Sequence, residues 1–180
     1  MKKVMLAGAV VLAMAASPAY AKGAGKGMSA HQFVTDVAQI NMAEVELGKL
    51  ATDKASNEQV KKFAQRMTDD HTKAGDELKT LAQQKTITLP TELDAKHKAL
   101  SDRLTKLSGE GFDRAYMQAM VSGHRQAVNM FRMESRSGKD PDVKQWAAKT
   151  LPTIEDHLKQ AQEIARGVVG TTGTVKPRKR

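Results

Sequence analysis

Four stretches of this chain repeat their apolar residues in steps of three and four, and each stripe is broken by one ionisable group. The first reads Phe33, Val37, Ile40, Glu44, Leu47, Ala51. The second reads Val60, Ala64, Met67, His71, Ala74, Leu78, Leu81. The third places Met117, Met120, His124, Ala127 and Phe131 on one face, and the fourth Ile154, His157, Ala161 and Ile164. Such spacing lines up each set along one side of an α-helix. Nothing alternates with period two for long enough to suggest a sheet. The expected fold is all-α, with the four stripes turned toward a common core. A charged or ionisable group on a buried stripe is costly unless it is paired, hydrogen-bonded or bound to a ligand. One such group on each of four helices points to a single shared polar site.

Local signals place the helix ends. Ser29 with Gln32 reads as a capping box opening a helix to about Asp53, and Ser56 with Gln59 opens the next, to about Gln84. The third begins after Gly109 or Gly111 and ends before Gly138. Asp140 with Pro141 opens the fourth, which runs to about Arg166, before Gly167. Pro152 lies inside it and is expected to kink it just before Glu155. The chain also repeats itself: Val60-Lys61-Lys62-Phe63-Ala64 matches Val143-Lys144-Gln145-Trp146-Ala147. Each run leads to an acid-Asp-His triplet, Asp69-Asp70-His71 and Glu155-Asp156-His157. Two helical hairpins account for this. Between them Lys85–Gly109 forms a long connector, with Leu93, His97, Leu100, Leu104 and Leu107 along one face of a short helix after a Thr91 cap. Helices of about 25 residues span roughly 38 Å, and such a connector can return the chain along most of that length. Short loop, long crossover, short loop is the connectivity of a ferritin-like four-helix bundle.

Lys2 and Lys3, the apolar run Val4–Ala16 and Ala19-Tyr20-Ala21 have the pattern of a cleaved export signal, too short to span a membrane. The expected organisation is a signal peptide over 1–21, a flexible Gly/Lys-rich segment over 22–28, the helical domain over 29–166 and a disordered basic tail over 167–180. The mature protein would then reside in the periplasm or be secreted. The formal charge of +9 misleads, because residues 29–166 hold 21 Lys and Arg against 20 Asp and Glu. A nucleic-acid-binding domain concentrates positive charge on its folded face, so that class is set aside. Lys176, Arg178, Lys179 and Arg180 leave room for weak tail contact with an anionic envelope surface. There is no cysteine, so neither disulfide nor thiolate chemistry is available.

The seam residues are the candidate site: Glu44, His71, His124 and His157, with Asp70, Glu155 and Asp156 behind them. Glu44 reads either as a ligand or proton acceptor, or as a rim carboxylate paired with a lysine. Asp70 and Asp156 next to His71 and His157 are expected to raise those histidines' pKa values. Met67 one turn from His71, and Met117 and Met120 beside His124, add thioethers to imidazoles, a soft set suited to Cu(I). The same methionines read equally as core filler. Asp113 and Glu134, near the ends of the third helix, read as solvated or capping groups. No phosphate loop, nucleophile elbow or zinc spacing appears.

The runs Asn41–Gly48, Phe63–His71, Gly109–Met117 and Lys149–Leu158 resemble a family of exported bacterial proteins, domain of unknown function 4142, over about Gln32 to Ile164. The resemblance implies a ferritin-like fold and carries no established activity. Phe112–Met130 is also similar to a second exported family, DUF305, which tends to carry paired histidines where this chain has Gly123-His124. Di-iron bundles use Glu-x-x-His on two helices. Here Thr68 and Ile154 stand three residues before His71 and His157, so a ferroxidase is not implied. The expectation is a non-enzymatic envelope protein, active in stress tolerance, that binds copper or another transition metal, or a small ligand. The alternative is a structural or interaction domain whose histidines form a buried hydrogen-bonded network without metal.

Overall fold

The computed structural model describes residues 28–170, with side chains to 168. The expected signal peptide, the segment before Met28 and the tail beyond Gly170 lie outside the described residues. Within them the fold is all-α, five helices: α1 Ala30–Lys54, α2 Glu58–Gln84, α3 Ala95–Thr105, α4 Gly109–Ser137 and α5 Pro141–Gly170. Among the described residues no helix is long and apolar enough to cross a membrane.

The helix starts differ in detail from the sequence signals. Ser29 caps α1 by accepting from the Gln32 backbone, but the Gln32 side chain donates to Asp36 instead of closing a capping box. α2 is capped by Asn57, not Ser56. Ser56 is drawn away because its N–H and hydroxyl both donate to the Asp113 carboxylate, as does the Asn57 N–H. Asp113 is therefore buried, and ties the α1–α2 loop to α4. Glu134 is buried as well, so neither acid is solvated; of the two expected roles, Asp113 takes the capping one, accepting the Ser56 and Asn57 N–H groups where α2 opens. Asp94, not Thr91, caps α3, whereas Asp140 caps α5 through the Asp142 and Val143 N–H groups as expected. α5 passes through Pro152 and continues beyond Gly167. A helical glycine costs only about 1 kcal/mol relative to alanine, and burial of Val168 against the core favours the extra turn.

The end of α2 holds a strained residue. Ile87 N–H donates to Ala82 C=O and Thr86 N–H to Gln83 C=O, the paired bonds of a Schellman motif. The motif needs a left-handed residue at Thr86, whose φ is 54°. Glycine takes that conformation freely and a β-branched side chain does not. Thr86→Gly is expected to stabilise the protein by about 1 kcal/mol, a rise of roughly 2–4 °C in Tm. An unchanged or lower Tm in a calorimetric scan would show that the Thr86 side chain is needed there.

Residue pairs across the interfaces fix the helix directions. Asn41 meets His71, Arg66 meets Asp156, Arg132 meets Glu155, and Ser56 meets Asp113. The first three pairs join helices running oppositely and the last sets the end of α1 beside the start of α4, so α1, α2, α5 and α4 form a ring of antiparallel neighbours, with α1 packed most closely on α2 and α4 on α5. α2 and α4 run the same way, which is why the connector with α3 must travel back along the helices. α1 and α2 approach closely at Gly48, where a Cβ would lie 2.4 Å from Thr68 Oγ1 and 2.9 Å from the Ala64 carbonyl.

The core divides along its length. Leu47, Phe63, Met67, Phe112, Tyr116, Met117 and Met120 belong to an apolar cluster near the α1–α2 loop. Phe33, Val37, Leu78, Phe131 and Trp146 belong to a second, toward the other end, where Phe33 sits edge-on to Phe131 at 5.1 Å. The three seam histidines lie between these two apolar halves.

Candidate metal centre

His71 of α2, His124 of α4 and His157 of α5 are 3%, 2% and 1% exposed. Their ring centroids stand 5.5–5.7 Å apart, and one nitrogen from each lies within 4.8 Å of the other two. Each reaches the middle because it occupies a core position of its helix, as the spacing required. The three additional residues between Trp146 and His157, relative to Phe63 and His71, do not misdirect His157. They offset its starting height by about 4.5 Å of helix.

Every ring is held from behind by one oxygen. His71 Nδ1–H donates to Asn41 Oδ1 at 2.8 Å, His124 Nδ1–H to the Met120 carbonyl at 3.0 Å, and His157 Nε2–H to Asp70 Oδ2 at 2.8 Å. A carbonyl and a carboxylate only accept, so these bonds set the tautomers. The other nitrogens, His71 Nε2, His124 Nε2 and His157 Nδ1, are buried without a protein partner. A buried polar atom left unpaired costs about 1–3 kcal/mol, and here three occur in one cluster.

The electrostatics correct one sequence expectation. Asp70 does not serve its neighbour His71; it crosses to His157. Asp156 binds Arg66 at 2.7 Å, and Arg66 also binds Asp70 at 3.1 Å. His71 has no carboxylate partner, so burial, followed by the neighbouring His124 and His157, pushes its pKa well below the usual value. Burial also outweighs the Asp70 hydrogen bond at His157 and lowers its pKa to about 4. Both histidines are therefore shifted down, not up, and are neutral at pH 7. Asp70 is held below its ordinary value despite partial burial, by the His157 and Arg66 hydrogen bonds.

Glu44 is buried, 3.8 Å from His124 Nδ1. That is too long for a hydrogen bond, and the Nδ1 proton is already given to Met120, so the contact is purely electrostatic. Glu44 Oε2 has no protein partner, and no lysine pairs with this carboxylate among the described residues. Burial raises its pKa, with His124 and then His97 opposing. Tyr116, whose hydroxyl is also unpartnered, is pushed well above its usual value by burial and by Glu44.

The remaining candidates fall elsewhere. Glu155 turns outward and pairs with Arg132 at 2.6 Å, so it does not back the histidines. Asp156 reaches them only through Arg66. Met67, Met117 and Met120 are buried among Leu47, Phe63 and Tyr116 in the apolar cluster. Asn41 and Arg66 were missed by the sequence reading. Asn41 lies four residues after Val37 on the buried face, but the stripe drawn through Ile40 bypassed it. Ile40 is only partly buried.

The chain matches the family described as "Domain of unknown function (DUF4142)" over residues 13–164. No curated protein sequence matches it. Among solved structures, CopM in its Cu(II)-bound form is 19% identical, with a TM-score of 0.66 over 78% of this chain and 97% of that one. A DUF305 protein of Streptomyces coelicolor, assigned as secreted, is 16% identical, with a TM-score of 0.65 over 78% and 94%. A DUF305 fragment from Deinococcus radiodurans is 17% identical, with a TM-score of 0.65 over 79% and 95%. At these identities the likeness shows the fold alone.

Proposed function

The chain belongs to the DUF4142 family, and we propose that it is an exported, non-enzymatic protein that binds one copper ion on His71, His124 and His157. One observation carries this reading. Three buried imidazoles each spend one nitrogen on an oxygen acceptor and leave the other without a protein partner, and one nitrogen of each ring lies within 4.8 Å of one on each of the others. Metal-bound histidines are oriented in this way by an acceptor behind the ring. Metal–imidazole bonds are about 2.0–2.1 Å long. Nitrogens less than 4.8 Å apart need only small ring movements to share one ion. The lowered pKa values of His71 and His157 keep their lone pairs free at neutral pH, as ligation requires. Glu44 supplies a nearby carboxylate to offset the cation's charge.

Nitrogen-rich sites favour Cu(II) over other first-row divalent ions, and a structural relative is described as Cu(II)-bound. The alternative, a buried network without metal, is less favoured because the three ring nitrogens do not hydrogen-bond one another. The ring of antiparallel helices, with α2 and α4 parallel and α3 in the crossover, supports a ferritin-like bundle. Export rests on the leader pattern of residues 1–21, and a role in envelope stress tolerance follows from copper binding there.

The test uses Trp146, the chain's single tryptophan, which lines the inner cavity beside His71 and His124. Titrating tag-free protein with Cu(II) is expected to quench its fluorescence, saturating at one equivalent, with Zn(II) and Fe(II) binding more weakly. Absence of saturable binding would leave the hydrogen-bonded network as the function of the cluster.

A further inference from the structure

A cleft of about 750 Å³ lies between α1, α3 and α4. It is separated from the inner cavity at His71 and His124 by a thin wall, since Ile40, Glu44 and Gly123 line both spaces. Gly123 thins the wall at that point: a Cβ there would stand 3.6 Å from Glu44 Oε1, in ordinary contact, so a longer side chain would press on Glu44. Glu44 presents an unpartnered, fully buried oxygen at this wall.

The cleft also contains a histidine that the three-histidine centre does not use. His97 of α3 is largely buried, its side chain 16% exposed. Its Nδ1–H donates to Asp94 at 2.9 Å, which leaves Nε2 as the available donor atom. The groove between α2 and α5 makes a poorer approach for a cation. Lys62 and Arg66 line it against one carboxylate, Glu163, and no histidine.

We infer that the cleft beneath α3 is the path by which a metal ion reaches the three histidines, with His97 and then Glu44 as hand-off groups. This rests on the copper-binding reading above. A hand-off group lowers the barrier to passage without changing the end states. Its loss therefore slows association and dissociation together, whereas loss of a ligand raises the equilibrium constant for release.

Stopped-flow quenching of Trp146 by Cu(II), paired with chelator competition, separates the two. His97→Ala is expected to slow uptake about tenfold with affinity unchanged within twofold. Gly123→Leu, which thickens the wall at Glu44, is expected to slow uptake further. Lys62→Ala, on the other groove, should match the wild type. Unchanged uptake rates in His97→Ala and Gly123→Leu, or a change confined to Lys62→Ala, would overturn the route while leaving the site intact. A wild type that binds no Cu(II) would overturn route and site together. His97→Ala lies on the short outer helix, so the test does not depend on Gly123→Leu folding.

Discussion

His124→Leu is expected to lose Cu(II) binding while the protein keeps or gains thermal stability. The three rings differ in what each would leave behind. His71→Leu would strand Asn41 Oδ1, and His157→Leu would strip one partner from Asp70. His124 gives its proton only to the Met120 carbonyl, a group that the helix already satisfies. Leucine has similar bulk, removes the unpartnered Nε2 and adds apolar contact between Phe63 and the second half of the core. If the cluster is a packing device, this variant is destabilised. If it is a metal site, stability is preserved and affinity collapses. Even changes behind a ligand cost roughly 10–100-fold in metal affinity, so loss of the ligand itself should exceed about 100-fold. Asn41→Ala and Asp70→Asn should fall within the lower range. Met67→Leu with Met120→Leu should change affinity less than about twofold, and a large loss there would make thioethers ligands. Wild-type affinity in His124→Leu, read by chelator competition, would exclude the site as drawn.

The helices and the inward histidines were legible because both depend on local periodicity. Steps of three and four put His71, His124 and His157 on buried faces, and the loop lengths paired the helices. What was not legible is which residues meet at one height across an interface. Asp70 adjoins His71 in sequence, yet neighbours on a helix point about 100° apart, so its carboxylate serves α5 and leaves His71 to Asn41. Ser56 reads as an ideal cap until Asp113, 57 residues away, takes both its N–H and its hydroxyl. Glu155 follows one residue after buried Ile154, and that single step turns it out to Arg132. The pKa expectation failed for the same reason. It assumed sequence neighbours as partners and placed too little weight on burial.

Acid is expected to destabilise the metal-free protein well above the pH at which its carboxylates titrate. His157 falls from an unfolded value near 6.5 to about 4 in the fold, and His71 moves in the same direction. Between those values the unfolded chain binds protons that the native core refuses, so unfolding free energy falls as pH falls. The histidine contribution is fully present above about pH 6.5 and is lost progressively down to about pH 4. For His157 alone the full span amounts to about 3 kcal/mol, or roughly 6–12 °C in Tm for a domain of this size. Glu44 and Glu134 work the other way, because burial raises both pKa values and acid relieves a buried charge at each. His71, shifted well below its ordinary value, and His157 set the sign. Asp70 titrates below its ordinary value and stays outside this window. Tm measured without metal from pH 7.5 to 5 should therefore decline, and His124→Leu, which keeps both titrating groups, should retain most of that decline. Bound Cu(II) should flatten it, because the ion occupies the lone pairs that protons would take. A Tm that stays level or rises on acidification would mean that His71 and His157 are charged in the native core, and two imidazolium rings so close could not share one metal ion.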